Sequence, residues 1–111
     1  MIHIVREKAT KQQIDEMLQE LESIIKLAVD IEREILAGGG GMHADCEMAL
    51  LADGSQQTDI WGAGWVPDTQ EVLFDALINI RPNQNNLDMV IQDATIRRRV
   101  EAIVRPRLET A

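Results

Sequence analysis

The sequence predicts an α+β fold: a two-layer sandwich in which a mainly antiparallel sheet carries both helices on one face. Three patterns predict it. A helical apolar period follows a short opening strand, a series of alternating stretches comes next, and a capped, arginine-rich helix closes the chain. The expected order is strand, helix, four-strand meander, helix, in one domain over residues 1–111.

Met1-Ile2-His3-Ile4-Val5 reads as the first strand, too short for the core of a signal peptide. Thr10-Lys11-Gln12-Gln13 fits a capping box, and Ile14, Met17, Leu18, Leu21, Ile24 and Ile25 then recur at helical spacing. Near Ser23 to Lys26 the period changes. Val29, Ile31 and Ile35 take one side, and Asp30, Glu32 and Glu34 the other. Arg33 falls on the apolar side, where it needs water or an acid. Four glycines, Gly38 to Gly41, suit a hairpin turn because glycine adopts positive φ at little steric cost. The returning strand sends Ala44, Cys46, Met48 and Leu50 inward and His43, Asp45 and Glu47 outward, so that Glu34 faces Asp45 and Glu32 faces Glu47.

After Asp53-Gly54-Ser55 turns the chain, a third strand carries Thr58, Ile60 and Gly62 inward and places Asp59 and Trp61 on the acidic side. Gly62-Ala63-Gly64 is expected to bend or bulge it. A fourth strand alternates from Val72 to Ile80 and brings Asn79 and Arg81 to that side. Following a polar connector and a short extended piece at Val90, Asp93 caps the last helix. Its core positions are Ile96, Val100, Ile103, Val104 and Leu108, and Pro106 is expected to end or kink it.

A net charge of −8 disfavours nucleic acid and anionic membrane and favours cations or basic partners. The chain has no apolar run of membrane-spanning length, and the expected location is the cytoplasm. The one cysteine, Cys46, excludes an internal disulfide and a thiolate zinc cage, and its inward position reads as a packed, unreactive thiol. From Arg97 to Arg107 five arginines stand against Glu101 alone. This basic end can meet the acidic stripe within one chain or between two, so a homo-oligomer is expected.

The acidic stripe is the constellation suited to chemistry. It has a plain alternative, a solvated sheet face, but such a face would mix Lys with Glu. Carboxylates with one imidazole suit a divalent ion such as Mn, Fe or Zn. Glu34, His43, Asp45 and Glu47 are the candidate metal ligands. Asp30, Glu32, Asp59, Trp61, Asn79 and Arg81 are candidate supporting or ligand contacts. Their spacing matches no established metal motif. Two functions follow, and they leave open whether the chain is an enzyme. One is a binding domain whose acidic face takes a divalent cation or a basic protein partner. The other is a metal-dependent hydrolase of a phosphate or acyl ester, with Arg81 steadying an anionic transition state. A third account gives Trp61, Trp65, Leu73 and Leu77 the part of interface anchors. The glycine run lacks the Lys and Ser/Thr of a phosphate loop, and a Cys46–His43 dyad fails because odd spacing on a strand separates the faces.

Three segments resemble an uncharacterised prokaryotic family of conserved hypothetical proteins, a domain of unknown function. They are Leu27-Ala28-Val29-Asp30-Ile31-Glu32 through the glycines to His43-Ala44-Asp45-Cys46-Glu47, then Asp53-Gly54-Ser55 to Trp61-Gly62, then Leu77-Ile78-Asn79-Ile80-Arg81-Pro82 with Asn85 and Asn86. The resemblance covers nearly the whole chain. It implies no activity and gives no residue a role.

Overall fold

The computed structural model describes residues 1–110; Ala111, the last residue of the expected domain, lies outside the described residues. Strand β1 (His3–Val5) leads to helix α1 (Lys11–Met17), then to strands β2 (Ile25–Asp30) and β3 (Ile35–Gly38). Helix α2 (His43–Ala52), strands β4 (Ile60–Val66) and β5 (Glu71–Leu73) and helix α3 (Ala94–Leu108) complete the order. The strands form an open antiparallel sheet in the order β1-β3-β2-β4-β5. The fold is α+β, as the sequence predicts.

Side chains alternate across the sheet, so each strand serves two cores. Ile25, Leu27 and Val29 of β2 share one core with Leu36, Trp61, Ala63 and Trp65. Met17 of α1 and Val100, Ile103, Val104 and Leu108 of α3 close it. The two helices expected from the sequence therefore do lie on one face. Both start where expected. Thr10 and Gln13 exchange the two capping-box hydrogen bonds, and Asp93 Oδ1 accepts from the Thr95 and Ile96 backbones. Helix α1 stops at Met17, well short of Ile25. Pro106 neither ends nor breaks α3, which runs on to Leu108. Its missing N–H falls in the last turn, and the buried Leu108 side chain holds that turn down.

The other face departs from the sequence reading. Ala28, Ile35, Ala37 and Ile60 are roofed by Cys46 and Leu50 of α2, so residues 43–52 are a helix and not a returning strand. The sandwich gains a third layer, and the face expected to be open is covered. Four strands still lie between α1 and α3, but β2 and β3 both come from the stretch read as one strand and its glycines. Their hairpin turns at residues 31–34. Asp30 Oδ1 accepts the backbone N–H groups of Glu32 (3.0 Å) and Arg33 (2.9 Å), and Glu34 closes the turn with φ of +57°. The glycines serve close approach. At Gly39, with φ of +104°, a Cβ would run into the Met1 carbonyl oxygen.

Strand β4 is continuous, without the expected bulge, and β5 ends at Leu73 instead of running to Ile80. Beyond β5 the edge of β4 is finished by a side chain. The Gly62 N–H donates to Asn79 Oδ1 (2.7 Å), and Asn79 Nδ2 donates to the Gly62 carbonyl (3.0 Å). One amide thus replaces a neighbouring strand's peptide. Asn86 Nδ2 in turn donates to the carbonyls of Asn79 and Asp88, both at 2.8 Å, and its Oδ1 accepts from Gln92 N–H (2.9 Å). These two buried asparagines hold residues 74–92 in place.

Candidate functional site

Between the first turn of α2, the floor made by β2 and β4, and residues 73–89 lies a cavity of about 360 Å³. Its walls are Ile24, Leu73, Ile78 and Met89, and Met42 and Leu77, 60% and 70% exposed, form its rim. Gly64 keeps the floor low: a Cβ there would lie 3.4 Å from both Ile24 Cδ1 and Leu73 Cβ, filling space but clashing with neither. Three polar side chains reach this otherwise apolar space: Lys26 of β2, His43 at the start of α2, and Asp75 after β5.

His43 Nε2 lies 2.8 Å from the Ala63 carbonyl oxygen, which fixes Nε2 as the donor and leaves Nδ1 an acceptor. Burial pushes its pKa down, with the Lys26 charge adding to that. The Ala63 hydrogen bond and Asp75 pull the other way. The ring is therefore a neutral imidazole at pH 7. Lys26 Nζ donates to the Gly41 carbonyl (3.3 Å). Among the described residues neither Lys26 nor Asp75 has an ion-pair partner. The N-cap of α2, Met42, supplies no side-chain hydrogen bond. No Ser, Thr or Cys lines the cavity among the described residues. Cys46 is fully buried, its thiol directed at the Lys26 carbonyl and its pKa pushed up by burial, so it is no nucleophile here. The arrangement thus brings an imidazole, an ammonium and a carboxylate to one apolar space.

The residues of the expected acidic face are dispersed. Asp30 is buried and caps the β2–β3 turn, and Glu32 meets Arg99 at 3.2 Å. Glu34 lies in that turn and Asp45 on the exposed side of α2. Glu47, one helical turn after His43, receives Arg81 Nη2 at 3.4 Å. Arg81, 6% exposed, also donates to the carbonyls of Ile78 and Gln57 and stands 4.9 Å over the Trp61 ring. Trp61 is in the core, and Asn79 is fully buried. Burial, then the charges of Asp30 and Glu32, push the Asp59 carboxyl up against the opposing pull of Arg99. Glu34, His43, Asp45 and Glu47 thus form no common site. Among the described residues no three His, Cys, Asp or Glu are grouped to hold a metal ion.

The comparisons with known proteins give one match. Residues 3–107 fit the family described as a protein of unknown function, DUF5674. The chain belongs to that family. No curated protein and no solved structure matches it. Family membership agrees with the resemblance carried by the three segments and supplies no chemistry. No helix of this DUF5674 chain is long and apolar enough to cross a membrane among the described residues.

Of the cavity's polar groups, sequence reasoning singled out His43 alone, and for a different role. Lys26 and Asp75 of this DUF5674 chain went unnoticed, though each leaves a trace. Each is the lone charge in an apolar run, Ile24-Ile25-Lys26-Leu27-Ala28 and Leu73-Phe74-Asp75-Ala76-Leu77. Such a residue must snorkel, pair, or line a cavity.

Proposed function

We propose that this chain is a single binding domain whose site is the α2-side cavity, and that it takes a small, mainly apolar molecule. The observation that carries the reading is the cavity itself. Its volume of about 360 Å³, apolar walls and three converging polar side chains have the make-up of a small-molecule site. The binding role expected from the sequence is kept, and its place moves from a sheet face to a pocket. A metal-dependent hydrolase is not carried forward, because its ligands stand apart. The same dispersal removes the acidic surface that a basic partner would have met.

The test is a methyl-resolved NMR titration with a set of small apolar acids, amines and zwitterions. Shifts should gather at Met42, Leu73, Ile78 and Met89 and leave Val100 and Val104 of α3 unmoved. Shifts gathered elsewhere, or none with any of the set, would overturn the reading.

Self-association is a second reading, favoured by one specific observation. Apart from Met1 and Ile2, every exposed large hydrophobic residue comes from α2 with its preceding residue or from residues 77–90, and none from α1 or α3. Exposed apolar surface gathered in two segments of the chain marks interaction. Sedimentation should show a dimer or larger assembly that Met48→Lys weakens. A monomer at every concentration would exclude it.

A further inference from the structure

Lys26 and Asp75 line one apolar cavity with opposite charges, yet among the described residues neither forms an ion pair with the other or with any other side chain. Arg81, likewise set against apolar surface, has Glu47, two carbonyls and a tryptophan face. Half-buried Lys26 has one carbonyl, that of Gly41, and so keeps donors free. His43 stands within the fields of both charges, which act on its proton in opposite senses. The cation and the anion therefore flank one space.

We infer that the ligand is a zwitterion with an apolar body, an apolar amino acid, with its carboxylate toward Lys26 and its ammonium toward Asp75. Its side chain lies against Ile24, Leu73 and Ile78. This rests on the cavity being the binding site. The reason is the cost of incomplete partners. A neutral apolar molecule takes water from half-buried Lys26, and from the cavity side of exposed Asp75, and returns nothing. An acid of the same shape meets Lys26 but sets its charge beside Asp75, and an amine makes the reverse mistake. The zwitterion satisfies both ends while its body fills the apolar walls. A site built around charged partners discriminates strongly against the analogue that lacks one.

The experiment compares leucine with isocaproate, which is leucine without its amine, and isoamylamine, which is leucine without its carboxylate. Affinities and methyl shifts are read on the natural chain, Lys26→Met and Asp75→Asn. Leucine should bind tighter than either analogue by about tenfold or more. Lys26→Met should erase its advantage over isoamylamine, and Asp75→Asn its advantage over isocaproate. Lys26→Gln repeats the first arm should methionine disturb the fold. If all three bind alike with shifts at Ile78 and Met89, the cavity reading stands and the zwitterion falls. Tighter binding of either analogue than of leucine would also overturn the zwitterion and leave the cavity reading standing. If none moves those methyls, both fall.

Discussion

On one face of the sheet, Val100, Ile103, Val104 and Leu108 of α3 press into Leu27, Val29, Trp61 and Trp65, side chain against side chain. On the other, α2 contributes Cys46 and Leu50, and the remaining cover is irregular chain held by the amides of Asn79 and Asn86. The first arrangement is packed at its centre, and its cavity of about 250 Å³ lies at the edge by Ile31, Arg99 and Ile103. The second fixes a backbone without filling the space beneath it, so a cavity remains and apolar side chains stay in water. Packing on the α3 side supplies stability that the α2 side, with a cavity beneath its cover, contributes less of.

Truncations should expose this difference most strongly. Leu27→Ala, under α3, should lower the unfolding free energy by about 2–5 kcal/mol, because the transfer term and the new cavity add. Leu77→Ala, on the cavity rim, should change it by less than about 0.5 kcal/mol. Denaturant titration of both variants checks the pair, and equal losses would erase the contrast.

Asn79→Ala should cost about 1–3 kcal/mol, since it leaves the Gly62 N–H and carbonyl buried without partners. Hydrogen exchange should then rise across residues 74–92 and stay slow in α3. Uniform acceleration would mean that the two faces are not separable.

Two smaller effects concern protons. The folded state holds His43 with a lowered pKa, so below its ordinary value near 6.5 the unfolded chain binds the proton first. Stability is complete above that pH and falls as the medium is acidified through it. His43→Gln should flatten the slope of Tm against pH in this window. Asp59 works with the opposite sign. Its raised pKa lets the folded state keep the proton longer, so stability falls as pH rises through the carboxyl's titration. Asp59→Asn should raise Tm slightly at neutral pH, with the gain vanishing in acid where the carboxyl is protonated. A loss of stability at pH 7 would contradict the assignment.

The legible parts of the sequence were those whose causes are local. The Thr10 and Asp93 caps and the period from Ile96 to Leu108 each act within a few residues, and the structure keeps all three. Helix α2 was hidden by arithmetic. Cys46 and Leu50 are four apart, a spacing common to a strand face and a helix face, and the exposed Met48 and Leu51 blur any helical stripe. The alternation through Asp30, Glu32 and Glu34 misled because it runs past the end of β2 into the turn at residues 31–34. Its one misfit, Arg33 on the apolar side, marked the turn in which Arg33 reaches Asp53 and Ser55. The cavity was illegible because Lys26, His43 and Asp75 come from three elements and share no spacing.

The most direct test of the receptive face is to fill it. Gly64→Val places a β-favoured side chain on the cavity floor, where a Cβ has ordinary contacts. The variant and the natural chain would be titrated with leucine while the methyls of Ile78, Met89, Val100 and Val104 are followed. The account predicts unchanged α3-side methyl positions and an undiminished Tm, with the ligand-induced shifts at Ile78 and Met89 abolished. Undiminished shifts with the floor filled would contradict it.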